Sequence, residues 1–264
     1  MPDDIFADPR WARLYDVIDG ARDDLDLYES IVDEFNVRSV IDLGCGTGSL
    51  AVRLAARDVD VVGVDPASAS LDIARAKPEA DRVKWVLGDA RSMADLLPRF
   101  RDRGSEAVLM TGNVAMVFVD DDDWHAVLRA AHGALTSDGV LVFEVRDPAR
   151  RAWEEWAAGS RFARFNTSDG VIETWTEVRR VSLPLVSFRN MVRFVETGEL
   201  LTSDSVLRFR ERAEIERSLA DHGFALIDVR DAPDRPGREF VFVARRIAPA
   251  QVPGQQATRC VGRR

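Results

Sequence analysis

The chain has 264 residues, 46% of them hydrophobic, and 45 Asp and Glu outnumber 36 Lys and Arg to leave a formal charge of −9. That length and apolar content suit one large α/β domain or one domain with a sizeable insertion, while the negative field disfavours nucleic acid or an anionic membrane as partner. Two cysteines, Cys45 and Cys260, are too few for a disulfide framework or a structural zinc site, and the acidic opening Met1-Pro2-Asp3-Asp4-Ile5-Phe6 reads as neither secretion signal nor membrane span, so a reducing cytoplasm is the expected location.

Asp8-Pro9-Arg10-Trp11 reads as a capped helix start, with Trp11, Leu14, Tyr15 and Ile18 on one face, and a second helix is expected from Asp23 through Asp33. Residues 39–48, Ser-Val-Ile-Asp-Leu-Gly-Cys-Gly-Thr-Gly, then read as a buried strand running into a glycine-rich turn that opens a helix at Ser49. Gly44, Gly46 and Gly48 leave the turn open for close approach of a ligand. A dinucleotide fingerprint has its third glycine three positions after the second; here it comes one position early. Asp42, two residues before the first glycine, would repel a diphosphate but suits a ligand carrying an ammonium and a sulfonium. The turn therefore favours S-adenosylmethionine over NAD. Cys45 within it reads as a small buried residue rather than a nucleophile.

A second strand, residues 58–65, ends in Asp65, placed to accept ribose hydroxyls or, compatibly, to cap a helix that starts at Pro66. After a helix over 69–77, a third strand over 83–87 stops at Gly88-Asp89-Ala90, and a fourth over 106–110 stops at Thr111-Gly112-Asn113. The run Asp120-Asp121-Asp122-Asp123 supplies acids to the positive end of a helix rather than a metal site, since four adjacent acids cannot converge on one ion. His125 and His132 share a face of that helix. A fifth strand covers 138–145. Residues 147–163 look helical and carry Trp153 and Trp156, and 171–209 switch to strand alternation: Val171–Thr176, Leu185–Phe194 and Leu200–Phe209, with a hairpin at Thr197-Gly198-Glu199. A helix from Glu211 to His222 with Gly223 as C-cap precedes a final hairpin, 225–229 with 239–244, and 247–264 reads as a disordered tail.

The expected fold is thus α/β: a doubly wound, mostly parallel seven-stranded sheet, Rossmann-like, with an inserted antiparallel meander. Its divisions are a helical lid (1–35), a cofactor-binding core (36–150), the inserted cap (151–210), a helix and hairpin completing the sheet (211–246) and the tail. In such a sheet the strand ends form one crevice where ligands bind.

The Asp42-Leu43-Gly44-Cys45-Gly46-Thr47-Gly48 turn, Asp65 and the Gly88-Asp89-Ala90 element, in this order and spacing, resemble the motifs of class I S-adenosylmethionine-dependent methyltransferases of the small-molecule type. The resemblance is close over roughly 35–150 and looser in the flanks. It implies that Asp42 and Gly44 face the methionine part of the cofactor, Asp65 the ribose, and Asp89 with Ala90 the adenine, with Cys45, Gly46, Gly48, Pro66, Gly88 and Thr111 also among the cofactor-binding residues. It also makes Tyr15 and Arg22 lid residues, and the meander a roof over the acceptor pocket, a role compatible with a homodimer surface.

The resemblance implies methyl transfer to a nitrogen or oxygen of a small molecule. Asn113, Glu144, Arg146 and Asp147, at the ends of the fourth and fifth strands, are the candidate catalytic groups, with binding of an acidic acceptor as the alternative role of Arg146, and no metal is expected. The chain departs from the nucleobase-amine and glutamine methyltransferases, which carry Asp/Asn-Pro-Pro-Tyr where it has Thr111-Gly112-Asn113-Val114. No cysteine stands there for pyrimidine carbon-5 chemistry either. The alternatives are a nicotinamide-dependent oxidoreductase and a non-catalytic S-adenosylmethionine-binding regulatory protein.

Overall fold

Val40–Leu43, Val61–Val64, Ala107–Met110 and Val140–Val145 are nearly continuous apolar runs, the signature of strands covered on both faces, and all four lie buried at the centre of the main sheet. The computed structural model describes residues 3–89, 104–159 and 162–247. The sheet comprises β1 (Ser39–Leu43), β2 (Asp60–Asp65), β3 (Val83–Leu87), β4 (Ser105–Met110), β5 (Leu135–Arg146), β10 (Phe224–Asp231) and β11 (Glu239–Arg246), in the order β10-β11-β5-β4-β1-β2-β3. β1 to β5 are parallel; β11 runs antiparallel to both its neighbours. Strand order reverses between β1 and β4, where Asp42 pairs in register with Leu109 on one side and Gly63 on the other. A crevice at the carboxyl ends of the strands follows from that reversal.

Alternate residues of the strands feed two apolar layers. Ile41, Leu43, Val62 and Val64 pack under α6 (Asp121–Ala134) and α8 (Arg212–Asp221), whereas Val40, Val61 and Leu109 pack under α3 (Leu25–Glu34) and α4 (Ser49–Ala55). Asp121, Asp122 and Asp123 occupy the first turn of α6, where acids complement the exposed N–H groups. Among the described residues, no group of three or more His, Cys, Asp or Glu is disposed to hold a metal, and no helix is long and apolar enough to cross a membrane.

A second, antiparallel sheet is inserted after β5: β6 (Ala163–Thr167), β7 (Gly170–Ser182), β8 (Leu185–Phe194) and β9 (Leu200–Arg208). It corrects the expectation of a helix through 163 and a three-stranded meander. Arg151, with φ of 48°, separates a 3-10 turn (Pro148–Arg150) from the short α7 (Ala152–Ala157), and Gly159, with φ of 72°, follows it. The Ala-Arg-Phe-Asn-Thr segment then pairs with β7, too short and polar for its alternation to stand out in sequence. β7 itself runs on to Ser182 because β8 pairs with it from Ile172 through Ser182.

Two helices precede β1 on the lid side, α1 (Asp4–Ala7) and α2 (Pro9–Asp19), the latter capped by the Asp8 side chain on the Arg10 N–H at 2.7 Å. The apolar face of α2 is buried against the inserted sheet, Trp11 and Leu14 meeting Ile172 and Val192. The lid thereby joins the two sheets. The expected tail beyond Ile247 lies outside the described residues.

Candidate functional site

β1 ends by delivering Asp42 to the crevice, and the chain turns through three left-handed glycines: Gly44 (φ 75°), Gly46 (φ 53°) and Gly48 (φ 78°). A Cβ on Gly44 would stand 2.6 Å from Val114 Cγ2, whereas one on Gly46 would meet nothing within 4 Å. Glycine is thus required at Gly44 by a neighbour and at Gly46 by backbone conformation. The turn is stitched to β2: the N–H groups of Gly44 and Cys45 donate to the Val64 carbonyl at 2.8 and 3.2 Å. Asp65 completes the seam, accepting from Gly46 N–H and from Ala67 N–H, each at 2.8 Å. Burial raises the Asp65 carboxyl above the ordinary range, and those two bonds oppose the rise.

Asp42 is 1% exposed, and its Oδ1 has no hydrogen-bond partner. Burial, reinforced by the Asp65 charge and opposed by Arg22, pushes its carboxyl up to about 7. An isolated buried carboxylate is costly unless a cation or donor arrives. Burial and the charges of Asp42 and Asp65 also raise the Cys45 thiol well above its usual value, which removes the thiolate a nucleophile needs.

These groups open into a cavity of about 500 Å³. Asp65 and Pro66 line it after β2, Asp89 after β3, and Thr111 and Gly112 after β4, while Tyr15 and Arg22 close it from the lid. The lid is tied to the turn, since Asp16 accepts from Thr47 Oγ1 and pairs with Lys77 Nζ at 2.8 Å, and Lys77 donates to Ser49 Oγ at 2.9 Å. Arg22 is held by Asp19 at 3.0 Å and Asp24 at 2.8 Å. The donor set fits a ligand with positive charge near Asp42, polar hydroxyls near Asp65 and a carboxylate near Arg22, which are the groups S-adenosylmethionine carries.

Of the residues expected around the cofactor, Tyr15, Arg22, Asp42, Gly44, Cys45, Gly46, Asp65, Pro66, Asp89 and Thr111 line this cavity. Gly48 stands behind the turn as the N-cap of α4, where Trp85 and Ala74 leave no room for a side chain. Gly88 donates its N–H to the Asp65 carbonyl at 3.0 Å, and Ala90 lies outside the described residues. The four candidate catalytic groups do not line the cavity. Asn113 directs its N–H and Nδ2 to Glu144 Oε1 at 3.0 and 3.4 Å, and Glu144 faces the Tyr28 hydroxyl of α3 inside the protein. Burial and the Glu239 charge push the Glu144 carboxyl up to about 7. Arg146 pairs with Glu239 at 3.1 Å and covers the Trp156 ring, and Asp147 caps the 3-10 turn through Ala149 N–H at 2.9 Å. The strand pleat decides this, because alternate residues at the end of β5 point into the layers rather than over the edge.

The far wall was not read from sequence. It comprises Asp3 and Phe6 of the N-terminal segment, Val114, Val117 and Phe118 after β4, Asp123 and Val127 of α6, and Val206 of β9. None belongs to a glycine or acid motif at a strand end; only the strand alternation around Val206 pointed toward a roof.

Residues 40–139 match a family described as a methyltransferase domain. Cypemycin N-terminal methyltransferase of Streptomyces sp is 32% identical over 112 residues, 42% of this chain and 43% of that protein, so the chain spans less than half the length of that relative in the match. A protein of Geobacillus sp. (strain WCH70) that bears the name methyltransferase is 25% identical over 222 residues, covering 79% of this chain and 85% of its own. Among solved structures, the CcbJ methyltransferase from Streptomyces caelestis superposes with a TM-score of 0.70 at 23% identity over 90% of this chain and 97% of that one, a likeness of fold. Residues 40–139 are thus similar to a methyltransferase domain, and the chain shares the fold of the solved methyltransferase on which it superposes.

Proposed function

We propose that the protein binds S-adenosylmethionine in the crevice between β1 and β4 and transfers its methyl group to a nitrogen or oxygen of a small-molecule acceptor. The observation that carries this reading is Asp42, a carboxylate buried beside the glycine turn with one oxygen unpartnered. When bound, S-adenosylmethionine supplies a methyl carbon on positively charged sulfur with a good leaving group. The chain has to hold that carbon in line with a nucleophile about 3 Å away and keep water out.

In this reading the left-handed turn at Gly44 and Gly46 admits the ligand to backbone contact, and Asp42 offers its charge to the ammonium. Arg22, fixed between Asp19 and Asp24, receives the carboxylate, Asp65 the ribose, and Asp89 the adenine. Tyr15 and the rest of the lid cover the site. A neutral amine needs no base for this chemistry, whereas a hydroxyl does. The name of the cypemycin relative specifies an N-terminus, which lends weight to nitrogen.

Titration calorimetry with S-adenosylmethionine, S-adenosylhomocysteine and NAD tests the reading directly. Binding of the two S-adenosyl compounds and no heat with NAD is expected, followed by acceptor-dependent formation of S-adenosylhomocysteine. Binding of NAD alone would overturn it, and tight binding without turnover on any acceptor would leave a sensor instead of an enzyme.

A further inference from the structure

The helices before β1 divide according to where their apolar side chains go. Trp11 and Leu14 of α2 are buried against Ile172 and Val192 of the inserted sheet, with Phe165 and Leu201 at the border, and no residue of the main sheet belongs to that cluster. α3 goes the other way, its Leu25, Tyr28 and Ile31 packing with Val40 and Val61 of the main sheet. Between the two helices stands Gly20, with φ of 71° and ψ of −147°, a conformation that belongs to glycine. A Cβ added there would meet nothing within 4 Å. The backbone, not a neighbour, demands glycine at this point, and such a residue can absorb the change of φ and ψ when two bodies move.

The bonds from α2 to the glycine turn are polar instead. Both carboxylate oxygens of Asp16 are engaged: Oδ1 accepts from Thr47 Oγ1, and Oδ2 pairs at 2.8 Å with Nζ of Lys77, two residues past α5 (Ser68–Arg75). Lys77 also donates to Ser49 Oγ at 2.9 Å. Thr47 and Ser49 line the cavity, as does Tyr15 beside Asp16. The Asp16 and Lys77 side chains are 36% and 20% exposed, so water reaches them and can replace each bond as it breaks. Trp11, Leu14, Ile172 and Val192 are at most 2% exposed, and parting them would bare apolar surface with no such exchange. When α2 moves, the polar contact is the one that yields.

We propose that Asp16 is the catch of a donor gate: α1 and α2 keep their hold on the inserted sheet, and release of Asp16 from Thr47 and Lys77 opens the passage beside the glycine turn by which the donor enters and leaves. This inference rests on the methyl-transfer reading above and adds a positioning residue and a route to it. Tyr15 leaves with the lid and uncovers the donor site. Arg22 stays with the main sheet, because Asp24 lies on the α3 side of Gly20 and Arg53 of α4 donates to the Arg22 carbonyl at 3.0 Å. A gate sets both rates. Weakening the catch raises the population of open molecules, which speeds association and dissociation together, whereas loss of an ordinary ligand contact speeds dissociation alone.

Association and dissociation of methyl-tritiated S-adenosylmethionine, followed by rapid mixing and by chase with unlabelled donor, test the proposal without an acceptor. Asp16→Asn and Lys77→Met should each raise both rate constants about fivefold. The double variant should go no further than the larger single effect, since both act on one catch. Added salt should speed exchange in the wild type more than in either variant, because it screens the Asp16–Lys77 pair. Arg10→Gln, which removes the exposed ion pair to Glu199 on the same helix, is the control and should leave both rates as they are. Should Asp16→Asn fail to fold, Lys77→Met carries the test alone. Association unchanged in the folded single variants, whatever dissociation does, overturns the proposal, and so do rates that move as far in Arg10→Gln. Failure of the wild-type protein to bind the donor overturns the reading beneath it.

Discussion

Asp65 joins Gly46, 19 residues before it, to Ala67, 2 residues after it: one oxygen accepts the Gly46 N–H and the other the Ala67 N–H, both at 2.8 Å. The carboxylate thus shapes the glycine turn before it meets any ligand. Asp65→Asn keeps one acceptor oxygen and turns an amide N–H toward the other donor, so a charged hydrogen bond worth about 1.5–3 kcal/mol is lost. S-adenosylmethionine affinity should fall by roughly ten- to a hundredfold in calorimetry, with the fold intact by circular dichroism. Wild-type affinity in this variant would show that the turn holds its shape without Asp65.

Asp42 makes the site responsive to pH. Its carboxyl sits at about 7 in the ligand-free protein because it is buried beside Asp65, and only the ionised form attracts an ammonium. Between pH 6 and 8 the ionised fraction rises about tenfold, so S-adenosylmethionine binding should tighten by up to about tenfold over that range and then level off. Stability of the ligand-free protein moves the other way. The folded state holds a proton that the unfolded chain releases near pH 4, so this contribution is complete below about pH 4 and is lost as pH rises toward 7. Asp42→Asn should flatten both curves, measured by calorimetry and by urea denaturation across the pH series. A pH-dependent affinity that survives the substitution would assign the titration to another group.

Glu144 offers a contrast, because it is buried and perturbed but faces Tyr28 and Asn113 rather than the cavity. Its hydrogen bond to the Asn113 N–H supports a turn in which Gly112 and Asn113 both adopt positive φ. A general base contributes about 10²–10⁴-fold to a rate; a group that only supports the turn does not. Glu144→Gln, which preserves the acceptor oxygen, should therefore keep kcat within about threefold while costing about 1–3 kcal/mol of stability. Since burial and Glu239 push the wild-type carboxyl up to about 7, wild-type stability falls as pH rises from the ordinary carboxylate range to about 7. The cost of the substitution should be smaller at pH 8 than at pH 5. A hundredfold loss of kcat would return Glu144 to the chemistry.

What could be read from the chain follows from where its signals are local. The β1 turn announces itself because left-handed backbone selects Gly44, Gly46 and Gly48, and because Asp42 and Asp65 end apolar runs that stop at the sheet edge. The same logic located Asp89 and Thr111. Side-chain direction at the end of β5 was not legible, since Glu144, Arg146 and Asp147 share a strand end but reach a buried Tyr28, a buried Glu239 and a turn N–H. The far wall was hidden for a different reason. Asp3, Phe118 and Val206 come from segments about a hundred residues apart, and no local pattern marks residues that meet only through the docking of α1 on β9.

Arg210, just after β9, braces the far wall of the cavity, and its surroundings make the consequence of changing it specific. Only 3% exposed, it lies over the Trp124 ring at 5.1 Å and donates to the Phe118 carbonyl at 2.8 Å. Burial and the adjacent Arg208 push its pKa down to about 10, with Glu214 and Asp121 opposing. A lysine would retain the charge but lose the planar fork that meets a ring, a carbonyl and carboxylates together. Arg210→Lys should destabilise the protein by about 2–4 kcal/mol in urea denaturation, the range for breaking a buried polar network. Because the released Phe118 carbonyl belongs to the far wall of the cavity and not to the glycine turn, acceptor KM should rise severalfold while S-adenosylmethionine affinity is unchanged. Equal loss of donor and acceptor binding would mean that the two halves of the cavity yield as one unit and that the wall has no independent support from β9.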